Sequence, residues 1–322
     1  MEYNQLLVSI ITATYKKFDR LIDSINSVIA QDYSNIEYII TDDGSDDFPY
    51  SRIKNYLEQN STSNISWNIL RHERNVGTVK NLNDAYKSSK GKFIINLSCG
   101  DVFFENDVVS RICKRFADTR CDVLVTSRMV YSGDFPPLYL LPHYEERKII
   151  EKFDSGLKQY RAFISSGFYD MASGSAMSFS RNIMDKIGYY DERYRLWEDG
   201  PFLAKFLLQG RLEFAYDIIS IWYEGGGISS VNVANAHPQM RQDIDYFTKH
   251  EKLSHIDKLT IVEKRRLAYR NKRILKGSRL QQLGLYIIYF PEVLYFVHYT
   301  KSRKRHEKND VRIVEQIMRE KH

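Results

Sequence analysis

Short apolar runs at residues 6–13, 36–41, 66–70, 92–97 and 122–126 alternate with helical patterns at 17–31, 49–59, 77–89 and 106–118. Strands separated by helix-length segments are joined by crossovers. That restricts this part of the chain to an α/β fold with a largely parallel sheet. The ends of the runs are polar and often acidic. Val8-Ser9-Ile10-Ile11-Thr12-Ala13 leads to Thr14-Tyr15, and Ile39-Ile40-Thr41 leads to Asp42-Asp43-Gly44-Ser45. Phe93-Ile94-Ile95-Asn96-Leu97 leads to Ser98-Cys99-Gly100-Asp101, and much later Trp197-Glu198-Asp199-Gly200-Pro201 opens a helix. Open α/β sheets gather their ligands beyond the carboxyl ends of their strands. Acids set out in this order suit a metal–diphosphate substrate and a general base.

Each motif also has a purely local use. Asp42-Asp43-Gly44-Ser45 makes a good turn, since Asp and Gly are favoured turn formers. Asn75 in Asn75-Val76-Gly77 can cap the helix that begins near Gly77. Asp101 reads equally as a loop acid. Pro201 is a helix-start signal, which makes Asp199 or Gly200 the N-cap. A helix N-terminus stabilises an anion, so the Asp199 carboxylate is expected to stay ionised. Gly225-Gly226-Gly227 allows close backbone approach or simply a flexible turn. His237, alone before Pro238, reads as structural rather than as a metal ligand.

The ordered set of motifs over residues 6–230 resembles the family 2 glycosyltransferases. The resemblance implies the GT-A fold, a Rossmann-like mixed, mainly parallel sheet flanked by helices. It implies a nucleotide-sugar half at about 1–130 and an acceptor half at about 131–235, followed by a helical extension at 236–322. By the same resemblance, Thr14 and Tyr15 line the nucleotide pocket, Asp42 and Asp43 contact the nucleotide, and Asn75 faces it. Lys80 stands where Arg is common, and cannot match the bidentate contact of a guanidinium. Asp101 is the remaining acid of a metal motif in which Ser98 and Gly100 occupy positions that are often Asp. Asp199 is the implied base, with Glu198 orienting it. Gly226 and Ser229 belong to a loop near the donor phosphates or acceptor. Ala13 and Lys16 depart from the family's usual Pro and Asn.

What the resemblance implies is inverting transfer of one sugar from a nucleotide-diphosphate sugar, with UDP the commonest nucleotide. Mg²⁺ or Mn²⁺ at Asp101 would assist, because magnesium needs only one or two carboxylates beside phosphates and waters. No Gln-x-x-Arg-Trp motif follows Asp199, which favours single addition over processive synthesis. The competing reading is a non-catalytic glycosyltransferase-like subunit that binds nucleotide sugar or glycan. A dinucleotide-dependent oxidoreductase would need Gly-x-Gly-x-x-Gly after the first strand, where this chain has Thr12-Ala13-Thr14-Tyr15-Lys16-Lys17.

Charge is unevenly placed. Of 47 Lys and Arg, 18 fall in residues 251–322, against 8 of 41 Asp and Glu, so this tail carries +10 and the rest −4. Within it, Leu283–Tyr299 is apolar and aromatic, holds Pro291, Glu292 and His298, and is flanked by cations. A span needs about 20 apolar residues, so an interfacial segment on anionic lipid fits better, and a helix pair packed on protein is the alternative. The aromatics do not interleave with the cations as a nucleic-acid stacking platform would. The implied acceptor is then a glycan, lipid-linked, in surface polysaccharide assembly. Cys99, Cys113 and Cys121 lack metal or disulfide spacing, and the first apolar run reads as a strand rather than a signal peptide. Both point to a cytoplasmic protein, peripheral at the inner face of the membrane. Pro136-Pro137 and Pro142 mark a loop over the acceptor side.

Overall fold

The computed structural model describes residues 6–132, 134–166, 171–224, 237–274 and 278–320. Its centre is β1 (Val8–Thr14), a run of small and β-branched residues that is buried along nearly its whole length. Strands β2 (Ile36–Asp42) and β4 (Phe93–Asn96) flank it in parallel, and β3 (Ile65–Arg71) adds in parallel to β2. Helices α1 (Leu21–Ile29), α2 (Tyr50–Asn60) and α3 (Thr78–Ser88) make the crossovers.

The two-residue side-chain period of these strands decides which helix covers which face. Ile10, Tyr38, Ile40 and Ile95 pack with Leu21, Ile25 and Val28 of α1, with Ile53 and Leu57 of α2, and with α4 (Val108–Thr119). Their neighbours Ile11, Ile39 and Ile94 turn to the other face and pack with Val79, Leu82, Ala85 and Tyr86 of α3. A sheet buried on both faces explains why these strands read as continuous apolar runs.

The full strand order is β3-β2-β1-β4-β8-β6-β9-β5. Here β8 (Met177–Ser180) is antiparallel to both β4 and β6 (Val123–Ser132), β9 (Glu213–Glu224) is parallel to β6, and β5 (Val102–Phe103) is antiparallel to β9. The sheet is therefore mixed, as expected. Helices α5 (Tyr144–Ile150), α6 (Gly156–Arg161), α7 (Arg181–Ile187) and α8 (Asp199–Leu207) complete the first two thirds of the chain.

Two expectations need correction. Pro136-Pro137 lies within a strand, β7 (Asp134–Leu141), which among the described residues pairs with β6 alone. Proline lacks a ladder donor and is tolerated on such an edge. The strand expected at 122–126 runs on to Ser132, through buried Thr126, Ser127 and Arg128, whose polarity hides it from an apolar-run search. Core packing continues past residue 235. Phe247 of α9 (Pro238–His250), with Leu259 and with Leu267 of α10 (Ile261–Ile274), joins the core that holds Ile11 and Ile94. The chain closes with α11 (Arg279–Ile288) and α12 (Phe290–Arg319).

Candidate active site

The parallel register sets Thr14, Asp42 and Arg71 in one row at the carboxyl edge of β1, β2 and β3. Asp42 is wholly buried. Its carboxylate accepts from the Ser45 N–H at 2.9 Å and the Ser45 hydroxyl at 2.6 Å, with the Arg71 Nε at 3.4 Å. It shapes the turn, which is the local use foreseen for it. Gly44 sits in that turn at φ +71°, where an added Cβ would lie 2.3 Å from the Arg74 carbonyl carbon. Thr14 is buried, its hydroxyl donating to the Lys17 carbonyl at 3.0 Å, while the Tyr15 ring beside it is exposed.

Asp43 organises the next loop. One carboxylate oxygen accepts from the Val76 N–H at 2.6 Å, and the other from the Asn75 side-chain amide at 2.8 Å and the Gly77 N–H at 3.0 Å. Burial nevertheless pushes the Asp43 carboxyl above the usual range, against these donors. Gly77, not Asn75, is the N-cap of α3, at φ +96° and ψ 153°. That region is essentially glycine-only and costs other residues about 1–3 kcal/mol. A Cβ there would also meet Arg195 Cγ at 2.6 Å. Gly77→Ala is therefore expected to lower stability by at least about 1–3 kcal/mol, read by chemical denaturation; an unchanged midpoint would contradict this placement.

Asn75 bridges two halves of the chain. Its side-chain oxygen accepts from the Arg195 guanidinium at 2.6 Å. Arg195 was not singled out in the sequence, although it lies just before the Glu198-Asp199 pair. Lys80, expected at this position, is instead held by Asp84 one turn along α3, at 2.9 Å, on an exposed face.

Asp101 is buried, and its loop is pinned to α1: the Ser24 hydroxyl donates to the Asp101 carbonyl at 2.8 Å and accepts from the Gly100 N–H at 2.9 Å. Among the described residues no three His, Cys, Asp or Glu side chains gather as a metal site. A single hard carboxylate fits a cation carried in with a diphosphate, which supplies the remaining oxygens with water. It does not fit a resident ion.

Asp199 lies in the first turn of α8, and Glu198 is its N-cap, one residue earlier than expected. Asp199 Oδ2 accepts from the Gly174 N–H at 3.1 Å, and the Gly200 N–H and Trp197 indole also donate to it. Buried Arg128 adds favourable charge. Both residues are half-buried, with their carboxyl groups closely surrounded by protein atoms. Burial raises both. Glu198 is pushed up to about 8, by burial first and by the Asp199 charge second. Desolvation outweighs the donors and the helix end at Asp199, so its carboxyl is raised from the ordinary value. The pair still has a clear asymmetry. Asp199 has three donors and a cation that favour its charged form, whereas the Asp199 charge adds to the burial that pushes Glu198 up.

A buried polar chain runs back from this pair. The Gly174 carbonyl accepts from the Asn96 amide at 3.2 Å, and Asn96 accepts from the Tyr86 hydroxyl at 2.8 Å. In front of the pair, Asp243 of α9 is 97% buried and accepts three successive backbone N–H groups on one oxygen: Arg195 at 3.1 Å, Leu196 at 2.7 Å and Trp197 at 3.0 Å. Phe247, one turn on, packs edge-to-face on Trp197 at 4.9 Å. His237 has the structural place expected of it, its ring nitrogen accepting from the Gln239 N–H at the start of α9. Gly226 and Ser229 lie outside the described residues.

The structure thus brings Asp43, Asn75, Arg195, Trp197 and Asp199 into one connected arrangement at the carboxyl edge of the sheet. Comparison with known proteins agrees with this architecture. The family model "Glycosyl transferase family 2" matches residues 9–188. An uncharacterized glycosyltransferase of Rickettsia prowazekii is 25% identical over 214 residues, 66% of this chain and 62% of that protein, so the match spans under two thirds of the relative's length. The crystal structure of S. aureus TarS 1-349 in complex with UDP-GlcNAc superposes with a TM-score of 0.57 at 18% identity, over 98% of this chain and 93% of that one. A mannosyltransferase from Pyrobaculum calidifontis, in complex with GDP-Man and Mn²⁺, gives 0.51 at 12% identity over 90% and 86%. At these identities the two structures establish the fold.

Proposed function

This chain belongs to glycosyl transferase family 2, whose model covers more than half of it, and we propose that it moves one sugar from a nucleotide-diphosphate sugar to an acceptor hydroxyl with inversion. The observation that carries this reading is the Asp199 carboxylate in the first turn of α8, held by the Gly174 N–H beside the strand ends. An acceptor hydroxyl is a poor nucleophile. Asp199 takes its proton as the oxygen bonds to the anomeric carbon and the bond to the diphosphate breaks. With one base and, among the described residues, no second carboxylate placed as a nucleophile, a single displacement is the simplest course.

The nucleotide lies along the row from Thr14 and Tyr15 to Asp43 and Asn75, with Asp42 holding the turn beneath. Arg195 takes the cationic role the sequence suggested for Lys80. A divalent cation, Mg²⁺ or Mn²⁺, would be held by Asp101 and would offset the charge of the leaving diphosphate. UDP is the preferred nucleotide, supported by the UDP-GlcNAc complex of the TarS structure, and a lipid-linked glycan of surface polysaccharide is the preferred acceptor.

The test is nucleotide release from a panel of UDP-, GDP- and dTDP-sugars, with and without Mg²⁺ or Mn²⁺. Release that needs added metal, and a metal-free protein that binds neither ion tightly by calorimetry, is the expected result. Nucleotide binding with no release from any donor, with glycan acceptors supplied, would favour the non-catalytic subunit instead. Tight metal binding without nucleotide would overturn the substrate-borne cation.

A further inference from the structure

Helices α11 and α12 meet at an angle of 95°, and neither is long and apolar enough to cross a membrane. At 1.5 Å per residue the ten residues of α11 reach only about 15 Å, half of a hydrocarbon core of about 30 Å. Yet the elbow they form exposes large apolar side chains: Leu283 (56%), Ile287 (71%), Ile288 (61%), Phe290 (58%), Leu294 (53%) and Val297 (45%). Water-exposed clusters of this kind mark an interaction site.

The elbow is built to hold its shape. A Ser278–Gln281 capping box starts α11. Arg265 of α10 makes two bonds to the buried Glu292 carboxylate, at 2.8 and 3.0 Å, and a third to the Ile288 carbonyl at 2.9 Å. Tyr269 stacks on Phe296 on the inner side. Farther along α12, buried Asp310 bonds the His143 ring at 2.8 Å and the Tyr144 N–H at 3.0 Å, fixing the long helix to α5. The apolar tip is thus rigidly joined to the body that carries the site.

What faces outward on α12 follows a helical stripe. Phe290, Leu294 and Val297 continue, at the same three- and four-residue spacing, into exposed Lys301, Lys304 and Arg305. Exposed Arg279 opens α11 at the other border. An apolar strip bounded by cations matches a layer that is greasy below and anionic above. It is a poor match for a second copy of the chain, whose tail also carries +10, because like-charged borders would be brought together.

We propose that the α11–α12 elbow docks this protein on an anionic lipid bilayer, lying in the interface with its apolar strip below the headgroups and Arg279, Lys301, Lys304 and Arg305 among them. The inference stands on the tail alone and does not depend on the transfer reaction.

The experiment is flotation of the full chain with phosphatidylcholine vesicles and with vesicles containing about one third phosphatidylglycerol, beside the double variant Ile287→Glu/Leu294→Glu. Both substituted side chains are mostly exposed, so circular dichroism and melting should be unchanged. The expected result is at least tenfold stronger partitioning to the anionic vesicles, weakened by salt and reduced at least tenfold in the variant. Absence of wild-type binding, or equal binding by the variant, overturns the proposal. A wild-type oligomer in light scattering that the variant converts to monomer overturns it too, by assigning the strip to a second copy.

Discussion

Asp199→Asn is expected to reduce sugar transfer by about 10²–10⁴-fold, the range that a positioned general base contributes, while nucleotide binding and folding persist. Asparagine keeps the shape and can still accept from the Gly174 N–H now 3.1 Å from Oδ2, but it cannot take a proton. Glu198→Gln is the informative partner. Burial and the Asp199 charge push the Glu198 carboxyl up to about 8, which favours its neutral form, and an amide imitates that form. Its activity should stay within about tenfold of wild type. Equal losses in the two variants would mean that the base has been misassigned.

The same pair gives a stability test with a definite sign. A carboxyl whose folded value is raised binds its proton more tightly in the native state than in the unfolded chain. Stability is then greatest below the unfolded value, near 4.5, and falls as pH rises through about 8. Glu198→Gln should flatten that fall. A slope unchanged by the substitution, in denaturation series across this window, would show that Glu198 is not the group responsible.

The parallel half of the sheet was legible because burial on both faces forces continuous apolar runs, and the acids stood out where those runs stop. The motifs named residues at the strand ends, but not what each one touches. Asp42 and Asp43 are adjacent in sequence, yet one serves its own turn through Ser45 and the other reaches Asn75, Val76 and Gly77. Lys80 matched by position, but a helix offers it Asp84 four residues on, and that pair forms locally. Arg195 and Arg128 were hidden for the opposite reason. Their partners are distant in the chain, and no local pattern marks a cation that meets Asn75 or Asp199 only after folding. The long polar stretch of β6 was concealed by burying Thr126 and Ser127, which find hydrogen bonds across the sheet.

Asp243 lies outside the motifs, and on the proposed reading Asp243→Ala is expected to lower kcat by about 10²-fold, the cost of an error of about 1 Å in catalytic placement. One of its oxygens gathers the N–H groups of Arg195, Leu196 and Trp197. Those residues set the Trp197 indole on Asp199 and the Arg195 guanidinium on Asn75. Without the carboxylate, three donors lose their acceptor, at about 1–3 kcal/mol for each left unsatisfied, and the loop has no reason to keep this path. Asp243→Asn retains an acceptor oxygen in the same place and should recover activity to within about tenfold. A merely structural role would instead lower the melting temperature in both variants while leaving kcat per folded molecule intact. A chain cut at residue 235 should fail more completely, because it loses Asp243 together with Phe247, which packs on Trp197. The entrance to the helix that carries Asp199 would then keep only its bonds to the Asn75 and Val79 segment.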